Sequence, residues 1–208
     1  MKMTRNVGCL LGVGIVLLIL VFLGCGSYNG MVKQRNAVDN SWAQVQNQYQ
    51  RRADLIDNLV NTVKAQVKAE NQTLTQVIAA RNQARGSFNN AARVSGDSLT
   101  QERIDQFQRS YDDYQRQTQL FINVVSEQYP DLKSAGAFTE LRTEMSGTEN
   151  RVATARMDFN NAATAYNNRV QSFPNNIFAG MFGFSKRGLF QAQAGAEVAP
   201  KVSDDFMK

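Results

Sequence analysis

The stretch VKAENQTLTQ, residues 67–76, decides the fold because it sets whether the first apolar stripe belongs to one helix or to two. An unbroken helix from Gln34 to Phe88 would be about 82 Å long, whereas the two later helical stretches correspond to about 45 Å and about 54 Å. The longer rod would leave about 30 Å of apolar stripe without a partner. A turn at 70–73, capped by Asn71 or Thr73, removes the mismatch, although the stretch contains neither Gly nor Pro.

Apolar side chains on both sides of this turn recur at alternating steps of three and four residues, which is typical of helices packed side by side. The first stripe contains Val38, Trp42, Val45, Tyr49, Ile56, Leu59 and Val63. Further breaks fall at Gly96, Pro130 and Pro174. The pattern predicts an all-α fold, an antiparallel up-and-down four-helix bundle with helices at 34–69, 72–94, 98–129 and 137–173.

The bundle is preceded by an apolar segment with no charged residue between Arg5 and Lys33. Its length is typical of a helix that crosses the bilayer core, and it exceeds the apolar region of a cleaved signal peptide. We therefore divide the chain into an N-terminal flank at 1–6, a transmembrane helix at 7–27 and a helical bundle at 28–173. A Phe-rich, membrane-proximal segment and polar tail follow at 174–208.

An alternative is that the segment FLGC, residues 22–25, is a lipoprotein-processing site. Cys25 would then be the lipidated N-terminus, and no spanning helix would remain. Phe22 stands where such sites prefer an aliphatic residue, so the transmembrane helix is the favoured interpretation. The alternative of a lipid-anchored lipoprotein stays open.

An even number of helices brings the C-terminal segment back to the membrane end of the bundle. This segment mixes aromatic and basic side chains, as membrane surfaces favour. The predicted membrane-proximal residues are Phe178, Phe182, Phe184, Lys186 and Arg187. Closing the open end of the bundle is an equally good role for the same stretch, and the two are compatible.

Polar residues also fall on or beside the apolar stripes, namely Arg52, Arg81, Glu149 and Arg156. A buried arginine without a partner is costly, so each should find a carboxylate or carbonyl group. Asp54, Asp57, Glu70 and Glu149 are the candidate partners. We favour structural pairing that fixes helix register over catalysis, because arginine accepts no proton near neutral pH.

The composition excludes several classes of function. There is no histidine, and the two cysteines, Cys9 and Cys25, lie in the apolar segment. Zinc sites of the usual kind, Ser-His-Asp triads and Cys-His nucleophiles are therefore excluded. The formal net charge of +5 is interleaved rather than clustered, which argues against nucleic-acid binding. We predict no catalytic, metal-binding or cofactor-binding residue.

The chain resembles the LemA family of bacterial membrane proteins over nearly its whole length. The matching motifs, in order, are YNGMV, NSWAQVQNQYQRRADLIDNLVNTVK, AARNQAR, SEQYPDLKS, TENRVATARMDFNNAATAYN and FPNNIFAGMFGF. The resemblance implies one N-terminal transmembrane helix, an antiparallel helical bundle and no established enzymatic activity. It marks the following signature positions without giving them a chemical role: Tyr28, Asn29, Trp42, Arg51, Arg52, Asp54, Leu55, Asn58, Glu149, Arg156 and Asn167.

The sequence departs from the family pattern at Asp57, where the family usually has proline, and before Glu70, where it often has histidine. Our main hypothesis is a non-enzymatic, membrane-anchored scaffold or interaction protein of the cell envelope. Its expected partners are membrane lipid and either another envelope protein or a second copy of the chain. The alternative is a membrane-surface or remodelling protein acting through the Phe-rich segment. We expect a single-pass protein of the cell membrane with an extracytoplasmic bundle.

Overall fold

The computed structural model describes residues 2–66, 72–133 and 136–191, and its regular structure over these ranges is helical. The helices are α1 (Lys2–Gln66), α2 (Gln72–Ala91), α3 (Gln101–Gln128), α4 (Pro130–Lys133), α5 (Gly136–Gln171) and α6 (Asn175–Phe182). A short 3-10 turn, Gly96–Ser98, precedes α3. The predicted all-helical fold class is confirmed.

The long helices alternate in direction. Trp42 of α1 contacts Val94, just after α2, whereas Asp57, further along α1, contacts Arg81 of α2. Rising residue numbers on α1 therefore meet falling numbers on α2, and the two helices are antiparallel. Trp42 also contacts Phe159 of α5, a helix that runs opposite to α1 by the same criterion. The chain therefore reverses between Gln66 and Gln72. Of the predicted turn residues 70–73, residues 70 and 71 lie outside the described residues, and Gln72 and Thr73 lie in the first turn of α2.

Several predicted boundaries differ from the structure; α3, for example, begins at Gln101 rather than at residue 98. The membrane segment and the first bundle helix form one continuous helix, because no proline interrupts the chain before Gln66. Helix α2 ends at Ala91 rather than at residue 94. Arg93 N donates to Asn90 O in a tighter turn, and carbonyl groups beyond the helix end accept hydrogen bonds from side chains of α1. Gln46 donates to Ala92 O at 2.6 Å, and Trp42 donates to Val94 O at 2.6 Å.

The core lies along the predicted stripes. Trp42, Tyr49, Phe88, Phe107 and Phe159 form its aromatic centre, and each is almost fully buried. In the fourth predicted helix, 137–173, steps of three and four residues place Ala162 and Phe173 on the buried stripe, and the structure differs at both positions. Ala163 rather than Ala162 is fully buried, which reflects the drift of a straight helix against a heptad pattern, and Phe173 is 81% exposed.

Candidate functional site

Helix α6 crosses α1 instead of running along it. Ser27 Oγ donates to Asn175 Oδ1 at 2.7 Å, and the rings of Tyr28 and Phe182 lie 5.1 Å apart. Asn175 and Phe182 are about 10 Å apart along α6. Their partners on α1, Ser27 and Tyr28, are adjacent, so the two helices cross. The ring of Phe178 covers Gly24, where an added Cβ atom would lie 3.2 Å from Phe178 Cε1, so a larger residue there would require this ring to shift slightly.

The crossing carries most of the exposed apolar side chains. We define the apolar collar as Phe173, Ile177, Met181 and Phe182, which are 81%, 54%, 72% and 49% exposed. Ile19, Phe22 and Leu23 of α1, which are also exposed, come directly before the α1 residues that α6 contacts. Among the side chains that the structure describes, the exposed large hydrophobic ones all lie at 15–28 or 173–182 except Leu120 and Met157. The apolar surface is thus concentrated at one end of the molecule.

The predicted membrane helix, residues 7–27, falls partly on residues whose side chains lie outside the described part of the chain. Where side chains are described, no helix has a stretch that is both long and apolar enough for a bilayer crossing. Cys25, the alternative lipidation site, is exposed on α1.

The predicted membrane-proximal residues differ in their burial and in what they contact. Phe178 and Phe182 pack on α1 at the crossing, and Lys186 is exposed. Phe184 is half-buried, with its ring 5.6 Å from Tyr28. Arg187 is only 3% exposed. Its guanidinium group lies 5.4 Å from the ring centroid of Tyr166, inside the bundle rather than at its surface.

Residues 184–191, which we call the arm, run back along the bundle after Gly183, whose φ of 74° is in the left-handed region. The arm lies between α3 and α5. Asn167 contacts Arg187, and Asn160 contacts Phe190. Seven helical residues span about 10 Å, and three extended residues span a similar distance, so the arm is extended here.

Three side-chain amides each donate one hydrogen bond to the arm backbone and accept another from it. Asn167 accepts from Arg187 N at 2.8 Å and donates to Arg187 O at 2.9 Å. Gln101 accepts from Leu189 N at 3.0 Å and donates to its carbonyl at 2.9 Å. Asn160 accepts from Phe190 N and donates to Phe190 O, both at 2.9 Å. Sequence patterns did not reveal this role, because these residues resemble ordinary surface amides.

The end of the arm fills the core. Phe190 is 6% exposed, and its ring lies 5.5 Å from Phe159 and 6.1 Å from both Trp42 and Phe107. The guanidinium group of Arg156 lies 4.7 Å from the same ring. Arg156, predicted as a member of the polar stripe, therefore covers the arm.

Arg81 lies at the centre of a second polar cluster. It is 2% exposed and pairs with Asp57, which also pairs with Arg85. Arg81 additionally donates to the hydroxyl of Tyr114 at 3.0 Å. The predicted carboxylate partner is thus present, and one carboxylate serves two guanidinium groups.

The ion pair of Arg52 is longer and more exposed than that of Arg81. Its guanidinium group lies 3.7 Å from Glu149, whose side chain is 63% exposed. The Gln115 amide, with its oxygen turned towards Arg52, accepts a hydrogen bond of 3.0 Å. These residues line a cavity of about 290 Å³ between the helices. Arg52, Glu149 and Gln115 therefore join three helices, as a role in helix register requires.

Burial changes the acidity of two neighbouring tyrosines. Desolvation raises the pKa of Tyr49 to about 12, and Arg156 and Arg52 offset only part of this effect. Desolvation also raises the pKa of Tyr111, whose ring lies 4.2 Å from that of Tyr49. Both hydroxyl groups are therefore neutral near pH 7 and do not supply a base. Among the described residues, no cluster of carboxylates or thiols has the spacing of a metal site.

The raised pKa values of Tyr49 and Tyr111 predict that the protein loses stability in alkaline solution. A raised folded-state pKa gives stability that is complete below about pH 10 and is lost as the pH rises through about 12. For Tyr49 the loss is about 3 kcal/mol. We expect urea unfolding in detergent micelles at pH 8 to 12 to show this loss in the wild type and a smaller one in Tyr49→Phe. Tyr28→Phe, at a tyrosine that is 41% exposed, is the matched control. Equal pH dependence of the wild type and Tyr49→Phe would contradict this prediction.

Together the fold and these contacts define an all-helical bundle protein with an apolar collar at one end and structural polar clusters inside. The chain belongs to the LemA family, whose model matches residues 41–204. This match extends from the bundle part of α1 beyond the arm, and it confirms the resemblance drawn from the motifs.

Individual relatives agree with this assignment. The chain is similar to Protein LemA of Metamycoplasma hominis, with 24% identity over 174 residues, covering 84% of this chain and 73% of that protein. It is also similar to Magnetosome protein MamQ 2 of Paramagnetospirillum magneticum, with 34% identity over 89 residues, or 41% of this chain and 33% of the relative. Magnetosome protein MamQ of Magnetospirillum gryphiswaldense is 26% identical over 89 residues. The matched region thus spans a third of the magnetosome proteins' length. The names of these relatives denote no catalytic function.

Proposed function

We propose that this protein is a membrane-anchored helical scaffold of the bacterial cell envelope with no catalytic activity. Residues 7–27 would form its single transmembrane helix, and the bundle would stand on the membrane surface outside the cytoplasm. The observation that carries the proposal is the apolar collar, which adjoins the apolar N-terminal segment at one end of the molecule. The names of the magnetosome relatives are compatible with a role at a membrane.

The geometry of α6 favours a membrane-surface role in addition to the anchor. A helix that crosses a membrane-spanning helix lies close to the plane of the bilayer surface. Ile177, Met181 and Phe182 would then enter the interface, while Lys186 stays near the headgroups. The bilayer surface would lie near residues 24–28 of α1, which α6 contacts.

If Cys25 is processed and lipidated, the same collar would still meet the membrane, because α6 also contacts Ser27 and Tyr28, which follow Cys25 and are retained. The mass of the mature protein separates the two anchors. A spanning helix retains residues 1–24, whereas processing removes them and adds lipid to Cys25.

The proposal is tested with probes on the full chain in liposomes. Met181→Cys and Met157→Cys place a fluorophore at two exposed methionines, 72% and 57% exposed, with Cys9 and Cys25 replaced by serine. Brominated lipids quench a probe within the bilayer, so we expect strong quenching at residue 181 and almost none at residue 157, which lies far along α5 from the collar. Equal quenching at both positions, or none at residue 181, would contradict the proposed orientation.

A further inference from the structure

We propose that the groove between α3 and α5 is a binding site for an extended peptide of the pattern Arg-Gly-apolar-Phe. In this structure the chain's own arm fills the site, and the arm of a second copy is the partner that can fill it instead. The proposal goes beyond the scaffold function and does not depend on how the chain is anchored in the membrane.

The groove recognises the backbone of an extended peptide. In an extended chain, the N–H and C=O groups of one residue point to the same side, and a primary amide matches both at once. Asn167, Gln101 and Asn160 do this at three positions of the arm, with N···O distances of 2.8–3.0 Å. Such contacts resemble the addition of a strand to a sheet edge, where main-chain hydrogen bonds supply affinity.

The side chains of the arm supply selectivity at three positions. Phe190 fills an aromatic pocket, and Arg187 is buried against Tyr166. At Gly188, a Cβ atom would lie 2.7 Å from Gln101 Cα and 2.8 Å from Thr100 O, which are rigid backbone atoms. Only glycine therefore fits at this point, where Gly188 N donates to Leu99 O at 2.9 Å.

The arm is built as a detachable ligand. It follows the left-handed Gly183, carries no helix and contacts the groove through side-chain amides, the buried Arg187 and the ring of Phe190. A second copy is the natural occupant because every copy carries the fitting sequence, and exchange of identical elements creates no new interface chemistry. A tethered arm acts at a high local concentration, so the groove of the wild type stays closed to free peptide.

The first test uses the full chain in detergent micelles with its own arm expelled by Gly188→Val and Phe190→Ala. A fluorescent peptide with the sequence FSKRGLFQ, residues 184–191, is added. We expect fluorescence anisotropy to show binding to this variant at least tenfold tighter than to the wild type. The same peptide with valine in place of its glycine should not bind.

Helical circular dichroism and the fluorescence of Trp42 verify that the variant is folded. If the double variant does not fold, Gly188→Ala alone provides the expelled arm, because its Cβ meets the same backbone atoms. A folded variant that fails to bind the peptide would overturn the proposal.

The second test asks whether a second copy is the partner. The arm-expelled variant keeps its groove, whereas Asn160→Ala with Asn167→Ala keeps its arm and loses two of the three amides. We expect energy transfer between labelled copies when the two variants are mixed, and little in either variant alone. Peptide binding without energy transfer in the mixture would overturn the second copy as the partner.

Discussion

Replacing Trp42 by alanine is expected to lower the free energy of unfolding by about 4 kcal/mol, in the middle of the range for large buried aromatic residues. Trp42 is 2% exposed, and its ring contacts Phe107, Phe159 and Phe190. Its indole N–H donates to Val94 O at 2.6 Å, so the substitution also leaves a buried carbonyl without this partner. The cavity would weaken the arm together with the helices.

Trp42→Phe separates the effect of the cavity from the effect of the lost hydrogen bond to Val94 O. It keeps an aromatic ring but loses the indole N–H, so we expect about 2 kcal/mol of destabilisation. Both variants are measured by urea unfolding in detergent micelles followed by circular dichroism at 222 nm, because Trp42 is the single tryptophan. A change below about 1 kcal/mol for Trp42→Ala would mean that this residue is not at the centre of the core.

The period of the apolar residues predicted most of this core. Val38, Val45 and Leu59 of the first stripe are fully buried, because a side chain that recurs every 3.5 residues has to face the neighbouring helices. Length matching also predicted the reversal after α1, where no Gly or Pro marks a turn. Helix ends were less predictable, since the segment after α2 is held by hydrogen bonds from α1 residues that are distant in sequence.

The arm could not be predicted because its determinants are distant in sequence. Asn160 and Gln101 acquire a role only when residue 190 and residue 189 reach them. A local pattern shows Arg187 as a basic residue among aromatic ones, which suggested a membrane surface. Tyr166, whose ring the Arg187 guanidinium group covers, is 21 positions away, and no spacing rule connects the two.

The polar residues on and beside the apolar stripes were predicted more fully than the arm and less fully than the core. Sequence reasoning identified Arg52 and Arg81 as buried cations and included Glu149 and Asp57 among their partners. It did not assign the pairs, because a carboxylate on any facing helix satisfies the same rule. Nor did it show that Asp57 contacts Arg85 as well as Arg81.

Replacing Asp57 by asparagine is therefore the second substitution with a large expected effect. The change keeps the shape of the side chain and removes the charge that Arg81 and Arg85 share. Removing one partner of a buried pair costs about 3–5 kcal/mol. The Asp57 side chain is 33% exposed, so solvent screens part of the interaction and we expect about 2–3 kcal/mol. The matched control is Asp54→Asn, at a carboxylate that is 57% exposed and 3.5 Å from Arg85.

The control should cost less than about 1 kcal/mol, as exposed ion pairs do. A double variant, Asp57→Asn with Arg81→Met, tests the cause of the loss, because it leaves no charged guanidinium group at position 81. If the uncompensated charge is responsible, the double variant is more stable than Asp57→Asn alone in urea unfolding followed by Trp42 fluorescence. If the two losses add instead, the cluster contributes through packing and hydrogen bonds such as that from Arg81 to Tyr114, and the charge is secondary.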